Sequence, residues 1–311
     1  MDDRILFHQY DSSPFSEKVR IAFGIKGLTW YAVDQPVIMP KPDLTCLTGG
    51  YRRIPVMQIG ADVYCDSQII LRELERRFPE PSLLVGDDAG LSFGLGFWCD
   101  RPVFQAAVAV IFGGLGETVD EAFKKDREAL TGRPFDTEAL ARAAPLMAEQ
   151  LRAHCAILEQ QLSDGRDWLL GARPGLADAQ AYYNLWFVRS FYAAGAGPID
   201  SMQKVVEWEQ RVRAIGHGRR EEMSREDAVE IARAAQPEEG GATDAAEPNG
   251  LEIGDRVQVC ADDYGRDPIV GTLAGSSAHE ICVLRRDDRV GDVVVHLPRA
   301  GFGVKRVETD T

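Results

Sequence analysis

Closely spaced cysteines are absent from this 311-residue sequence, which has six cysteines and five histidines in all. The cysteines are scattered, with no Cys-x-x-Cys pair and no histidine spaced to complete a zinc site: Cys46, Cys65, Cys99, Cys155, Cys260 and Cys282. Disulfide frameworks and zinc sites both depend on such spacing. The sequence therefore indicates neither a disulfide scaffold nor a bound metal, and it fits a reducing cytoplasm.

Positive charge is also scarce. The chain has 35 Lys and Arg against 49 Asp and Glu, a formal net charge of −14. Because nucleic-acid binding is driven largely by cations that release phosphate counterions, we expect no nucleic-acid partner. The first residues, MDDRILF, lack the apolar core of a secretory signal, and nowhere do about eighteen apolar residues run unbroken. We expect a soluble protein with no membrane partner.

The first eighty residues alternate between strand and helix periodicity. A strand at 5–10, a helix at 14–26 and a strand at 30–33 are followed by a helical piece at 41–48, two short strands around Gly60 and a helix at 67–78. This order, βαβαββα, predicts an α/β domain over residues 1–80. The Pro-rich stretch PEPSLL that follows ends the last helix and is typical of a linker.

Three further segments differ from the first in character. Residues 88–235 lack strand signals and predict an all-α helical bundle. Residues 236–250, QPEEGGATDAAEPNG, are polar and rich in Gly, Ala and Pro, which predicts a flexible linker. Residues 251–309 hold five short runs of β-forming residues separated by turn residues, and they predict a small closed barrel.

The stretch YDSSPFSEKVR stands where the first strand meets the first helix. Pro14 suits the first helical position, where its missing N–H would be unpaired in any case, and Ser13 is well placed as the N-cap. Taken alone, this pattern indicates only a capped helix.

In combination with two other motifs, SSPFSEKVR resembles the cytosolic glutathione transferase superfamily over about residues 4–215. RRIPVMQIGADVYCDSQIILREL is similar to the family's Val-Pro dipeptide, hairpin and Asp-Ser helix start. GLADAQAYYNLWF is similar to the start of its buried helix, although Gly175 stands where a capping hydroxyl is usual, which leaves the folding role of Asp178 in doubt. The resemblance implies a thioredoxin-like domain, an all-helical domain and a homodimer that binds glutathione. The segment after residue 250 looks like a Src-homology-3-like barrel that the family usually lacks.

The resemblance also implies a catalytic residue. Ser13 matches the family's catalytic Ser or Cys, so its hydroxyl would donate to the glutathione sulfur. Ser12 and Ser16 are neighbouring alternatives. Because the position holds serine, transfer of glutathione to an electrophile is favoured over thiol–disulfide exchange, although Cys65 leaves a mixed disulfide open.

Glutathione-binding positions follow by the same comparison. Ile54 would pair its backbone with the cysteinyl part, before a cis Pro55. Asp66 and Ser67, at a helix start, would bind the γ-glutamyl group, with an ordinary acidic N-cap as the alternative. Arg53, or Arg52 beside it, would meet the glycyl carboxylate.

Aromatic side chains around the first long helix are candidates for the electrophile pocket. Tyr10 and Phe15 would face Phe97, Trp98 and Phe104, although aromatic residues at helical spacing also fit a core. The sequence thus predicts a glutathione transferase acting on a small hydrophobic electrophile. A non-catalytic binding protein built on the same scaffold is the alternative. An isomerase of the maleylacetoacetate type is another, although Pro14 and Phe15 stand where that class has a cysteine.

Overall fold

The computed structural model describes residues 3–86, 89–238, 244 and 247–307. Its first unit consists of β1 (Leu6–Gln9), α1 (Pro14–Lys26), β2 (Thr29–Asp34), α2 (Pro42–Thr48), β3 (Val56–Ile59), β4 (Asp62–Cys65) and α3 (Ser67–Arg77). Strand β1 lies between β2, which is parallel to it, and β3, which is antiparallel, and β4 continues the sheet beyond β3. The predicted βαβαββα order and the thioredoxin-like fold are confirmed.

Helix α1 is specified at both ends and along its buried face. Ser13 caps its start, and Gly27 ends it in a left-handed conformation, at φ 63°, that suits glycine. Inside, the ring of Phe23 meets Phe7 edge-on at 5.1 Å and stacks on Trp30 at 5.2 Å. This aromatic packing fixes α1 against β1 and β2, and so fixes the position of the residues at the helix start.

The second unit is helical. It comprises α4 (Ala89–Trp98), a π-helical turn (Cys99–Val103), α5 (Phe104–Leu115), α6 (Glu121–Thr131), α7 (Thr137–Gln161), α8 (Leu176–Phe191), α9 (Gly197–Asp200) and α10 (Gln203–Ile215). The π turn contains Pro102, which cannot donate an intrahelical hydrogen bond. By length and composition alone, the run Gly90–Thr118 could cross a membrane, and 44% of the apolar window within it is buried inside the protein.

Asp178 is buried at the start of α8 and accepts three hydrogen bonds. They come from the backbone N–H groups of Leu169 (3.0 Å) and Gly175 (2.9 Å) and from Nε1 of Trp208 (2.7 Å). A Cβ atom on Gly175 would lie 2.6 Å from Val85 and 2.8 Å from the carbonyl oxygen of Leu83. Glycine replaces the usual capping hydroxyl because a side chain does not fit there, and Asp178 keeps its role in the fold.

The prediction of an all-α segment as far as residue 235 is wrong at its end. Strand β5 (Arg219–Glu222) pairs in parallel with β2, and α11 (Arg225–Ala234) buries Ala228 against the same sheet beside Leu6 and Val33. The strand sequence, RREE, has no apolar residue because it lies at the sheet edge, with its side chains mostly in solvent. Hydrophobic periodicity therefore gave no strand signal.

The C-terminal strands are those predicted, but they do not close into a barrel. They are β6 (Arg256–Ala261), β7 (Ile269–Ser276), β8 (Glu280–Asp287), β9 (Gly291–Pro298) and β10 (Phe302–Arg306). Strand β9 pairs in parallel with β4, at Asp62 with Val294 and Tyr64 with His296. One sheet of ten strands results, in the order β10-β6-β7-β8-β9-β4-β3-β1-β2-β5. The edge of β9 that would have closed a barrel hydrogen-bonds the first unit instead.

The predicted flexible linker falls partly outside the described residues, which omit 239–243 and 245–246. The described residues on either side of that gap contact the folded units. Glu238 pairs with Arg77 at 2.6 Å, and Glu247 pairs with Arg299 at 2.8 Å.

His296 joins the C-terminal unit to the first unit. Its Nε2 lies 2.9 Å from a carboxylate oxygen of Asp62 in β4, and its Nδ1 lies 2.6 Å from Glu280 in β8. Burial lowers the pKa of His296, but hydrogen bonds with Asp62, Cys282 and Glu280 raise it further, to well above the usual 6.5. Glu280, Cys282 and His296 also lie close enough to hold a metal ion. Both imidazole nitrogens face carboxylates, an arrangement that favours a charged imidazolium joining β9 to β4 and β8.

This buried imidazolium predicts a pH-dependent stability. A raised folded-state pKa stabilises the native protein fully below pH 6.5, and that contribution is lost as the pH rises towards the folded pKa. We expect the urea midpoint of the native protein to exceed that of His296→Gln most at pH 6, with a gap that narrows steadily up to pH 9. The measurement is urea denaturation of both proteins across this range, and a gap that widens with pH contradicts the assignment.

Candidate active site

Ser13 lies at the junction of β1 and α1, with 1% of its surface exposed. Its backbone N–H donates to the carbonyl oxygen of Tyr10 at 3.0 Å, which tightens the turn. Its Oγ accepts from the backbone N–H of Ser16 at 3.2 Å, so the predicted N-cap is confirmed. A hydroxyl that accepts in this way still has its own proton to donate. The serine hydroxyl thus lies at the positive end of a helix, with the Tyr10 phenol as its side-chain hydrogen-bond partner.

The other predicted glutathione-binding residues surround a narrow cleft. The Ile54–Pro55 bond is cis, as predicted, and it leads into β3. Asp66 caps α3 by accepting from Gln68 N at 2.9 Å, and it has a φ of 96° that is rare outside glycine. Burial raises the pKa of Asp66, against the lowering effect of that hydrogen bond. Ser67 is the first helical residue and is buried.

Two cavities meet at this place. The larger is about 420 Å³, is mainly apolar, and is lined by Ser13 together with aromatic residues of α5, α6 and α8. The smaller is about 70 Å³ and lies between Pro55, Ser67 and the first turns of the helical unit. Four residues line both cavities and therefore mark the boundary between them: Phe15, Arg53, Ile54 and Tyr264.

The structure brings most of the predicted pocket aromatics together. Tyr10, Phe15 and Phe104 line the larger cavity, with the rings of Phe15 and Phe104 4.8 Å apart, and Phe97 lines the smaller one. Trp98 lies elsewhere: its ring packs edge-on against His154 of α7 at 5.4 Å. The prediction that Trp98 lines the electrophile pocket therefore does not agree with the structure, because consecutive residues of a helix point to different faces.

The neighbouring hydroxyls and the thiol differ from Ser13. Ser12 also lines the larger cavity and is more exposed. Ser16 is fully buried, and its Oγ has no partner among the described residues. Cys65 is fully buried in β4, where burial raises the pKa of its thiol far above the usual value. A protonated thiol without solvent access is a poor candidate for a mixed disulfide.

Both candidate arginines have carboxylate partners. The guanidinium of Arg52 lies 2.6 Å from Asp126 of α6, and that of Arg53 lies 2.5 Å from Asp263 of the C-terminal unit. The ring of Tyr264 stacks 4.0 Å from the Arg53 guanidinium carbon. Sequence reasoning missed Asp263 and Tyr264 because the contact joins positions 210 residues apart.

Lys41 is a further cation that sequence reasoning missed. It is 4% exposed, lines the larger cavity, and donates to the carbonyl oxygen of Arg52 at 3.2 Å. No carboxylate of the described ranges lies within ion-pair distance of it. Burial, reinforced by the charges of Arg127 and Arg52, lowers the pKa of Lys41 to about 8. The sequence signal was a lysine directly before Pro42 at the start of α2.

A thioredoxin-like unit that presents a serine hydroxyl at a helix N-terminus, across a cleft from a helical unit, defines a protein of the glutathione transferase type. The comparisons with known proteins agree. Residues 7–82 match the family model of the glutathione S-transferase N-terminal domain, and residues 106–219 match that of a domain of unknown function. A GST-like protein from Pseudomonas syringae is 34% identical, with a TM-score of 0.81, and the match covers 97% of this chain and all of that one. The chain belongs to the glutathione transferase superfamily.

Curated relatives carry different names. Glutathione S-transferase U4 of Arabidopsis thaliana is 25% identical over 40% of this chain, and the match spans only 59% of that relative. FtsZ-localized protein A of Caulobacter vibrioides is 28% identical over 67% of this chain and 86% of its own length. Maleylacetoacetate isomerase of Pseudomonas aeruginosa is 26% identical over 60% of this chain and 82% of its own length.

Proposed function

We propose that this protein is a glutathione transferase in which the Ser13 hydroxyl activates the glutathione thiol for attack on a small hydrophobic electrophile. The observation that supports this best is the position of Ser13. Its cap hydrogen bond uses Oγ as an acceptor, and its hydroxyl lies on the wall of the large apolar cavity, where the Tyr10 phenol is its side-chain hydrogen-bond partner.

The energetics of such a donor are sufficient. A thiol with a pKa of about 8.5 is only a few per cent ionised at neutral pH. A hydrogen bond to a charged group contributes about 1.5–3 kcal/mol, and a helix N-terminus adds about 0.3–1 kcal/mol. Since one pKa unit corresponds to about 1.36 kcal/mol, the two effects lower the thiol pKa by about one to three units. At pH 7 the thiolate fraction of bound glutathione then rises from a few per cent to between about a quarter and nearly all of it.

The reaction follows from this thiolate. The thiol proton leaves to water, and the sulfur lone pair attacks the electrophilic carbon. A carbon–sulfur bond forms as the leaving group departs with the electrons of its bond to carbon. The electrophile would occupy the 420 Å³ cavity, whose lining includes Tyr10, Phe15 and Phe104.

The remaining residues would position the tripeptide. The backbone of Ile54 would pair with the cysteinyl residue, and Asp66 and Ser67 would bind the γ-glutamyl ammonium and carboxylate at the start of α3. We propose Lys41 as a second partner of the glycyl carboxylate, beside Arg53, because Lys41 is a buried cation without an ion pair among the described residues.

Lys41 provides the test of glutathione binding. We expect Lys41→Met to weaken binding of S-methylglutathione at pH 7 about tenfold or more, the value of a hydrogen bond between charged groups. Native affinity should also fall as the pH rises through about 8, where Lys41 loses its proton, and the variant should lack this component. Titration calorimetry at pH 6.5 and 9 measures both effects. Lys125→Met, the same change on the exposed face of α6, is the control, and equal weakening by both variants contradicts the assignment.

Two alternative functions have specific support. The FtsZ-localized relative favours a binding protein on the transferase scaffold, and the isomerase relative favours glutathione-dependent isomerisation. Turnover of an activated aryl halide with glutathione supports the transferase. Inactivity of the native chain with aryl halides, peroxides and maleylacetoacetate, despite glutathione binding, supports the binding protein. A homodimer in a bacterial cytoplasm with a role in detoxification is part of the same proposal.

A further inference from the structure

A loop of the C-terminal unit lies over the proposed glutathione site. We call residues 262–265, the first part of the connection between β6 and β7, the 262–265 loop. Asp262 pairs with Arg101 of the π turn at 3.1 Å, Asp263 pairs with Arg53 at 2.5 Å, and the N–H of Gly265 donates to the carbonyl oxygen of Leu130 at 2.8 Å. The loop thus contacts the first unit and the helical unit at once, across the opening between them.

The cleft beneath the loop is too small for a tripeptide. Its volume is about 70 Å³, whereas ligand pockets measure about 300–1,000 Å³. Asp263 and Tyr264 form part of its wall. The adjoining apolar cavity, at about 420 Å³, falls within the usual range. Entry of glutathione between Ile54 and Ser67 therefore requires the loop to move.

Asp263 also pairs with Arg53, the cation that a carboxylate of glutathione would use. One terminal nitrogen of Arg53 faces the Asp263 carboxylate, and the guanidinium plane is covered by Tyr264. The Nε of Arg53 is buried with no hydrogen-bond partner in the described part of the chain. The Asp263 carboxylate therefore lies where a carboxylate of glutathione would bind, and the two carboxylates compete for the Arg53 guanidinium.

One attachment of the loop is weak, because the Asp262–Arg101 pair has about half of each side chain exposed and exposed ion pairs contribute little to stability. The Asp263–Arg53 pair is more buried, so it is the contact that holds the loop closed. Gly265 has a φ of 57°, and a Cβ there would lie 2.9 Å from both Arg53 Nε and a methyl carbon of Leu130. A larger residue at position 265 would therefore strain this closed arrangement.

We propose that the 262–265 loop is a gate on the glutathione site, held closed by Asp263 on Arg53 and opened when a carboxylate of glutathione takes that guanidinium. The inference rests on the proposed function. It gives the C-terminal unit a part in the activity of the transferase units, because β9 fixes that unit to β4 while its β6–β7 loop controls access to the cleft.

The test compares binding of S-methylglutathione by calorimetry across four proteins. We expect Asp263→Asn to bind several-fold more tightly than the native chain, because the competing charge is gone. Gly265→Ala, which props the loop open without a change in charge, should also bind more tightly. Asp267→Asn, the same change of charge in an exposed part of the same connection, should match the native protein.

Each result decides the proposal. Tighter binding by both Asp263→Asn and Gly265→Ala supports the gate. A gain in Asp263→Asn alone overturns it, because loss of the competing charge then acts without opening of the loop. Native binding with no gain in Asp263→Asn, or weaker binding there, overturns the gate and leaves the proposed function standing, with Asp263 as a residue that positions Arg53. Absence of binding in all four proteins overturns the proposed function and the gate together.

Discussion

Replacing Ser13 with alanine is expected to lower kcat/KM for conjugation of glutathione with an activated aryl halide about 100-fold. The loss corresponds to one hydrogen bond to a thiolate, worth about 1.5–3 kcal/mol. Without the donor, the pKa of the bound thiol should rise by about one to two units. Rate measurements from pH 6 to 9 should therefore show the ascending limb of the profile displaced to higher pH, while affinity for S-methylglutathione changes little.

The N-cap role of Ser13 requires its own controls. Loss of the cap costs about 1 kcal/mol of stability with alanine but only a few tenths with glycine. Ser13→Gly should therefore be as inactive as Ser13→Ala and nearly as stable as the native protein, whereas Ser13→Thr, which retains a hydroxyl, should recover part of the rate. If Ser12→Ala loses more activity than Ser13→Ala, the assignment moves to Ser12. An unchanged pH profile in Ser13→Ala removes the hydroxyl from the activation of the thiol.

The features that sequence predicts well here are local. Proline at the first helical position and serine before it are sufficient to predict the start of α1, and the structure shows the expected cap. The alternation of strand and helix periods predicts βαβαββα because each element of the first unit buries its own apolar face. The cis Ile54–Pro55 bond is predicted only by the family resemblance, because the residues alone are compatible with either isomer.

The features that sequence does not predict depend on partners far along the chain. Strand β5 has no apolar pattern, because it lies at the edge of the sheet and pairs with β2 through backbone hydrogen bonds. The five C-terminal runs predict a closed barrel because nothing in them shows that β9 pairs with β4. The contact of Asp263 with Arg53 likewise joins residues 210 positions apart, and nothing in the sequence around Asp263 indicates it.

Gly175 and Asp178 show how a departure from a family pattern can be structural. The missing hydroxyl at Gly175 raised doubt about Asp178, yet the closeness of Val85 and Leu83 accounts for the glycine. The carboxylate accepts from three donors that would otherwise be buried without partners. Such a group is expected to stabilise the helical unit strongly, because each unpaired buried donor costs about 1–3 kcal/mol.

Asp178→Ala is therefore expected to reduce the free energy of unfolding by about 3 kcal/mol or more, and to lower Tm by about 10 °C. Asp178→Asn should fall between the two proteins, because its single carbonyl oxygen still accepts from Leu169 and Trp208 while the N–H of Gly175 loses its carboxylate. Differential scanning calorimetry measures both variants. The control is Asp164→Ala, which removes an exposed ion pair with Arg166 and should cost far less stability than Asp178→Ala. Equal effects at positions 164 and 178 would show that the three buried hydrogen bonds add nothing beyond a surface pair.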